Sequence, residues 1–163
     1  MEGAHERDQV IGRINELIER ARGAAVPIVF IQHDDPNDPL MQSGSDGWQL
    51  VADLDVGTHD VRIAKQFRDS FADTSLHAHL ESLAVDEVII TGAQSDYCVH
   101  ATTTGALREG FDVTVVSDAH TTSVPSGSEL SAAAVVTFVT DNLTWLTYPE
   151  REVRVHPTES VLR

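Results

Sequence analysis

The sequence predicts an α/β domain: a mostly parallel sheet with helices on both faces. Short, wholly apolar runs of strand length alternate with segments of helical periodicity, as in chains whose strands are buried on both faces. The 163 residues fit one domain, 1–163, with a single core. No repeat, low-complexity tract or linker divides them.

Val10, Ile11, Ile14, Leu17, Ile18 and Ala21 recur at helical spacing, with charges on the other face and Gly23 as the stop. Pro27 introduces Ile28-Val29-Phe30-Ile31, the first strand. His33 to Gly47, rich in Asp, Pro, Gly and Ser, reads as a long surface loop, and Trp48 to Leu54 as holding a helical turn. Val61 to Ala64 form a second strand ending at Lys65, after which Thr74 caps a helix carrying Leu76, Leu80 and Leu83. Val88-Ile89-Ile90 is the third strand, Thr91 to Asp96 a turn, and Tyr97 to Glu109 a helix of small residues. Val113 to Val116, a helix over Glu129 to Asn142 and a short strand Val153-Arg154-Val155 complete the alternation.

Eleven basic against 26 acidic side chains leave a net charge of −15, which repels phosphate backbones and anionic membranes. No apolar run approaches the roughly 20 residues of a membrane-spanning helix. Met-Glu-Gly-Ala-His-Glu-Arg-Asp has neither the basic nor the apolar region of a signal peptide. One cysteine, Cys98, makes no intrachain disulfide. The expectation is a cytoplasmic protein with neither nucleic acid nor membrane as partner.

Chemistry in a parallel α/β sheet gathers in loops beyond the carboxyl ends of strands, here Gln32 to Asp35, Lys65 to Arg68 and Gly92 to Cys98. Cys98 falls in the first turn of a predicted helix, where free N–H groups and the helix dipole favour a thiolate, although many lone cysteines are simply small buried hydrophobes. Lys65, the only lysine, ends an apolar strand: it either offers its charge to a thiolate or developing oxyanion or merely closes the strand at the surface. His77 and His79 stand two apart on a helix and point to different faces, and no H-E-x-x-H occurs, so no metal site is expected. His33 and His120 each follow a strand, as pocket lining or as polar loop residues, while Asp34, Asp35 and Asp38 look like turn formers. There is no nucleotide-binding glycine motif.

Together, Val29 to Asp35, Ala64-Lys65 followed by Ser70-Phe71-Ala72-Asp73-Thr74-Ser75-Leu76, and Ile90-Thr91-Gly92-Ala93-Gln94-Ser95-Asp96-Tyr97-Cys98-Val99 resemble the isochorismatase-like superfamily of cysteine hydrolases. Asp118-Ala119 also fits, and the resemblance runs from about His5 to the C-terminus. It implies a three-layer α/β/α sandwich with a Rossmann-like, mostly parallel sheet. It also implies Cys98 as nucleophile, Lys65 as triad lysine, the backbone amides of Gln94 and Cys98 as oxyanion hole, and a cis peptide at Ala93–Gln94. His33, Asp34, Phe67, Tyr97 and His120 are the pocket candidates. Members that bind metal carry D-x-H after the second strand, where this chain has Gln32-His33-Asp34-Asp35, so neither metal nor cofactor is expected. The resemblance also places a further strand and an Asp-x-Gln motif, source of the triad's base, ahead of Met1-Glu2-Gly3, and no segment of this sequence supplies them. The expectation is therefore of a sheet short of one strand and a triad short of its aspartate.

The implied activity is cleavage of a C–N bond in a small amide or ureido compound through a thioester. The alternative is a catalytically weak or inactive homologue that binds a small molecule or partner. A homodimer or higher homo-oligomer is expected, with Trp48, Trp145 and Tyr148 as interface candidates or as core and pocket lining.

Overall fold

The computed structural model describes residues 3–163. Helix α1 (Arg7–Gly23) leads into strands β1 (Val29–His33) and β2 (Val61–Lys65), then α2 (Leu76–Ser82) and β3 (Glu87–Ala93). A five-residue π-helical turn, Ser95–Val99, runs into α3 (His100–Arg108), followed by β4 (Asp112–Thr121), α4 (Ala132–Thr144), β5 (Val153–His156) and a 3-10 turn at Thr158–Ser160. Every ladder is parallel, but the strands form two sheets, β1–β2 and β3–β4–β5.

Alternation along the strands places two apolar clusters on opposite faces of the larger sheet. Val88, Ile90, Val113 and Val115 pack with Leu76, Leu80, Leu107, Val139 and Leu143 from α2, α3 and α4. On the other face Ile89, Val116 and Ala119 meet Leu17 of α1 and Val161 beyond the 3-10 turn. The result is helix, sheet, helix: three layers, with strands apolar on both faces because both are covered. Ile63, Val29, Ile31 and Val61 of the β1–β2 pair join the first cluster, so one core spans both sheets.

Several elements differ from the sequence reading. Trp48 to Leu54 forms turns and no helix. β3 continues through Gly92 and Ala93 after a register shift at Ile90/Gly92, and β4 runs on through Ser117 to Thr121. The helix expected from Tyr97 begins as the π turn, because the Val99 amide reaches back five residues to the Gln94 carbonyl at 3.0 Å. Ser75 rather than Thr74 precedes α2; the Thr74 hydroxyl donates to the Ser70 carbonyl (2.6 Å) and accepts from the Leu76 amide (3.2 Å). α4 starts at Ala132, since Ser131 caps it by accepting from the Ala134 amide at 3.1 Å. No helix among the described residues is long and apolar enough to cross a membrane.

Candidate active site

Parallel strands deliver their last residues to one rim, and β2 and β3 deliver Lys65 and the turn bearing Cys98 there. Lys65 is only 5% exposed, far from a lysine that closes a strand in solvent. Its ammonium donates to the Arg68 carbonyl (2.6 Å) and the Ser70 hydroxyl (3.1 Å). The Ser70 and Thr102 hydroxyls are 2.8 Å apart, and the Thr102 hydroxyl reaches the Arg68 carbonyl at 3.4 Å. The ammonium, Ser70, Thr102 and that carbonyl thus form a closed ring tying the loop after β2 to α3. Burial pushes the Lys65 ammonium below the usual lysine range, and Cys98 and Asp69 oppose that shift.

Cys98 is half-buried. The amides on either side of it, of Tyr97 and Val99, both donate to the Gln94 carbonyl. The Ala93–Gln94 peptide bond is cis. Three side chains at the end of β4 hold the residues before the thiol. Gln94 Nε2 donates to Ser123 Oγ (2.8 Å), Ser95 Oγ lies 2.8 Å from His120 Nδ1, and the Thr122 hydroxyl donates to Asp96 Oδ1 (2.6 Å).

The pocket candidates divide. His33 is the register partner of Lys65, and its Nδ1 is buried without a hydrogen-bond partner among the described residues. Asp34 donates its amide to the Lys65 carbonyl (2.7 Å), and its carboxylate accepts from the Ser43 amide (2.7 Å). Asp34, Lys65 and Phe67 share a hollow of about 170 Å³ with Ala64, Gln66 and Asp73. Phe67 and Tyr97 are exposed, and the Arg68 guanidinium lies 4.1 Å above the Tyr97 ring. His120 is elsewhere: it is 2% exposed, under the Cys98 turn, with both ring nitrogens engaged. Burial pushes its imidazole below the usual histidine range, with Asp118 opposing. A larger hollow of about 350 Å³, lined by Pro27, Ile28, Asp60 and Val61, lies at the opposite ends of β1 and β2, away from the thiol.

The sequence does hold one D-x-H spacing, Asp118-Ala119-His120. It lies within β4, where Asp118 accepts from the amide and hydroxyl of Thr158 (2.8 Å each) and His120 is committed as above. Among the described residues no three His, Cys, Asp or Glu side chains are grouped to hold a metal. Sequence reasoning missed Thr102, which sits in a run of three threonines with nothing to single it out, and the bond from Ser95 to His120, which joins residues 25 apart.

The isochorismatase domain matches residues 1–145. A streptothricin hydrolase of Streptomyces noursei is 33% identical over 131 residues, 80% of this chain and 48% of that protein. A second streptothricin hydrolase of the same species is 29% identical over 156 residues, 95% of this chain and 62% of that one. The chain thus spans about half to three-fifths of the length of these relatives. A crystal structure of a cysteine hydrolase from Pseudomonas syringae pv. phaseolicola superposes with a TM-score of 0.85 at 21% identity, covering 96% of this chain and 79% of that one.

Proposed function

Because the chain belongs to the isochorismatase family, we propose that it hydrolyses a C–N bond in a small amide or ureido compound, with Cys98 as nucleophile. One observation carries this reading: the only lysine of the chain is buried at the end of β2, on the rim that also carries the turn of the only cysteine. The ammonium stabilises a thiolate, which attacks the substrate carbonyl. The Gln94 and Cys98 amides receive the oxyanion, the amine leaves with a proton from the Lys65 ammonium, and water cleaves the thioester, freeing the acid and returning its proton to Lys65 and the thiolate to Cys98. That the relatives are streptothricin hydrolases supports small-molecule hydrolysis without fixing the substrate.

A panel of small amides, ureido compounds and nicotinamide, assayed for product release, tests the reading. Turnover that vanishes in Cys98→Ser supports it, and turnover that survives overturns it. A second reading, a homologue that binds without turnover, is favoured by Asp69. This carboxylate acts on Lys65, but it is tied to Arg108 (2.9 Å) and the Phe71 amide (2.9 Å). Ligands that slow alkylation of Cys98 without being consumed would support that reading.

Self-association is also proposed. Trp145 is 84% exposed, and Phe138, seven residues earlier, is exposed on the same face of α4, whereas Tyr148 packs on the core. Light scattering showing only a 17.8 kDa species at micromolar concentration would remove this claim.

A further inference from the structure

We propose that His120 is a positioning residue for Cys98: an imidazole protonated on Nε2 that holds Ser95 and through it the turn bearing the thiol. The inference rests on the reading of Cys98 as the nucleophile.

The network assigns the tautomer. The Thr140 hydroxyl donates its one proton to the Val136 carbonyl at 2.8 Å. Its oxygen, 3.2 Å from His120 Nε2, is left to accept, so Nε2 carries a hydrogen. With the ring 2% exposed and no carboxylate hydrogen-bonded to it among the described residues, the imidazole is neutral and Nδ1 is an acceptor. Ser95, fully buried, then donates its hydroxyl proton to Nδ1 at 2.8 Å. The bonds run in one direction, from Ser95 to His120 to Thr140 to the α4 backbone.

What this chain holds is the start of the π turn. The Ser95 carbonyl accepts from the His100 amide, and the residue before it, Gln94, accepts from Tyr97 and Val99. Ser95 is therefore gripped at its backbone by the turn and at its side chain by His120. Thr122 and Ser123 add their bonds to Asp96 and Gln94, so the end of β4 holds three successive residues ahead of the thiol. Of the three grips only the one through His120 continues into another helix, which couples the turn to α4. The imidazole is covered from solvent and exchanges no proton with substrate. It acts by fixing where Cys98 and its neighbouring amides stand.

The experiment combines His120→Leu, His120→Asn and Ser95→Ala, read by turnover and by NMR. The wild-type imidazole should show the Nε2–H tautomer in long-range nitrogen–proton spectra. His120→Leu and Ser95→Ala should shift the backbone amide resonances from Gln94 to Val99. They should also lower kcat about 10- to 100-fold while KM stays within about threefold, the pattern of a misplaced reacting group. Asparagine places an acceptor near Nδ1, so His120→Asn should recover most of both signals. An Nδ1–H tautomer, or a folded Ser95→Ala protein with unchanged Cys98 resonances and unchanged kcat, overturns the proposal. If His120→Leu fails to fold, Ser95→Ala, which removes only a hydroxyl, decides. If the wild type hydrolyses nothing, the hydrolase reading fails by itself, and the resonances still decide whether His120 positions the turn.

Discussion

The two sheets contribute to one site in different ways. The β3–β4–β5 sheet is built around β4, most of whose ten residues are buried, and it holds the Cys98 turn by three side-chain hydrogen bonds from the end of that strand. The β1–β2 pair is five residues long and carries Lys65 as the last residue of β2. Two of the buried polar atoms without partners lie on this side, His33 Nδ1 and Trp48 Nε1. No ladder joins the pairs among the described residues. The Lys65–Cys98 relationship is therefore set by side chains: Ser70 on Thr102, Asp69 on Arg108, and the shared core around Ile63. With Cys98 held by the larger sheet and Lys65 by the smaller one, the seam between them is where the proposed mechanism is most sensitive.

Breaking the pair of charges gives the largest expected effect. Cys98→Ser should lower turnover by several orders of magnitude and Lys65→Met by about 10²–10³-fold. The double variant should be no worse than Cys98→Ser alone, because the two act as a unit. Initial rates for the four proteins check this, and additive losses would separate the two halves.

Next comes the seam itself. Alanine in a helix interior is ordinarily favoured over glycine by about 0.5–1 kcal/mol. At Gly105 of α3, however, a Cβ would stand 2.2 Å from Asp69 Oδ1. Gly105→Ala should displace Asp69 and cost about 1–3 kcal/mol in urea unfolding, as an overpacked site does. kcat should fall with it, since Lys65 is hydrogen-bonded to Arg68 and Ser70 of that loop.

A smaller, pH-dependent effect isolates the β4 side. His120 titrates below its unfolded value of 6.5, so beneath that pH the unfolded chain binds the extra proton. Its contribution to stability is complete above pH 6.5 and is lost as pH falls from there toward the folded value. The urea midpoint of the wild type should therefore drop more between pH 7 and pH 5 than that of His120→Asn. Equal drops would mean that His120 is not held neutral. Smallest of all, Tyr97→Leu removes the ring under Arg68 and should cost about 0.5–1 kcal/mol, with little change in kcat.

What the sequence made legible was whatever is written locally. Ile28 to Ile31 and Val113 to Val116 announce buried strands by being apolar throughout, and the string Gly92 to Val99 carries the family resemblance in consecutive residues. The polar half of β4 gave no such signal. Ser117, Asp118, His120 and Thr121 read as a loop, yet they extend the strand because their side chains find distant partners: Asp118 at Thr158, His120 at Ser95 and Thr140, and Thr121 at the His5 carbonyl. Such pairings satisfy buried polar groups across the fold and leave no periodicity behind. The burial of Lys65 was likewise invisible, because it depends on Ser70 and Thr102, which meet only once α3 has docked.

The all-parallel pairing also governs how the molecule must assemble in time. Partners in the ladders are separated by 25 to 28 residues between β3 and β4, 32 between β1 and β2, and 40 between β4 and β5. No hairpin can nucleate any of them, so each requires a long loop to close before its first hydrogen bond forms. The helices are the only structure the chain can form early, and β4, common to two ladders, is the strand on which the larger sheet must wait. On a ribosome β5 pairs with it last, and Val161 then seals the face beneath α1. Refolding in the millisecond-to-second range, with the Cys98 turn acquiring its final form only after β4 has docked, is the kinetic signature of that arrangement.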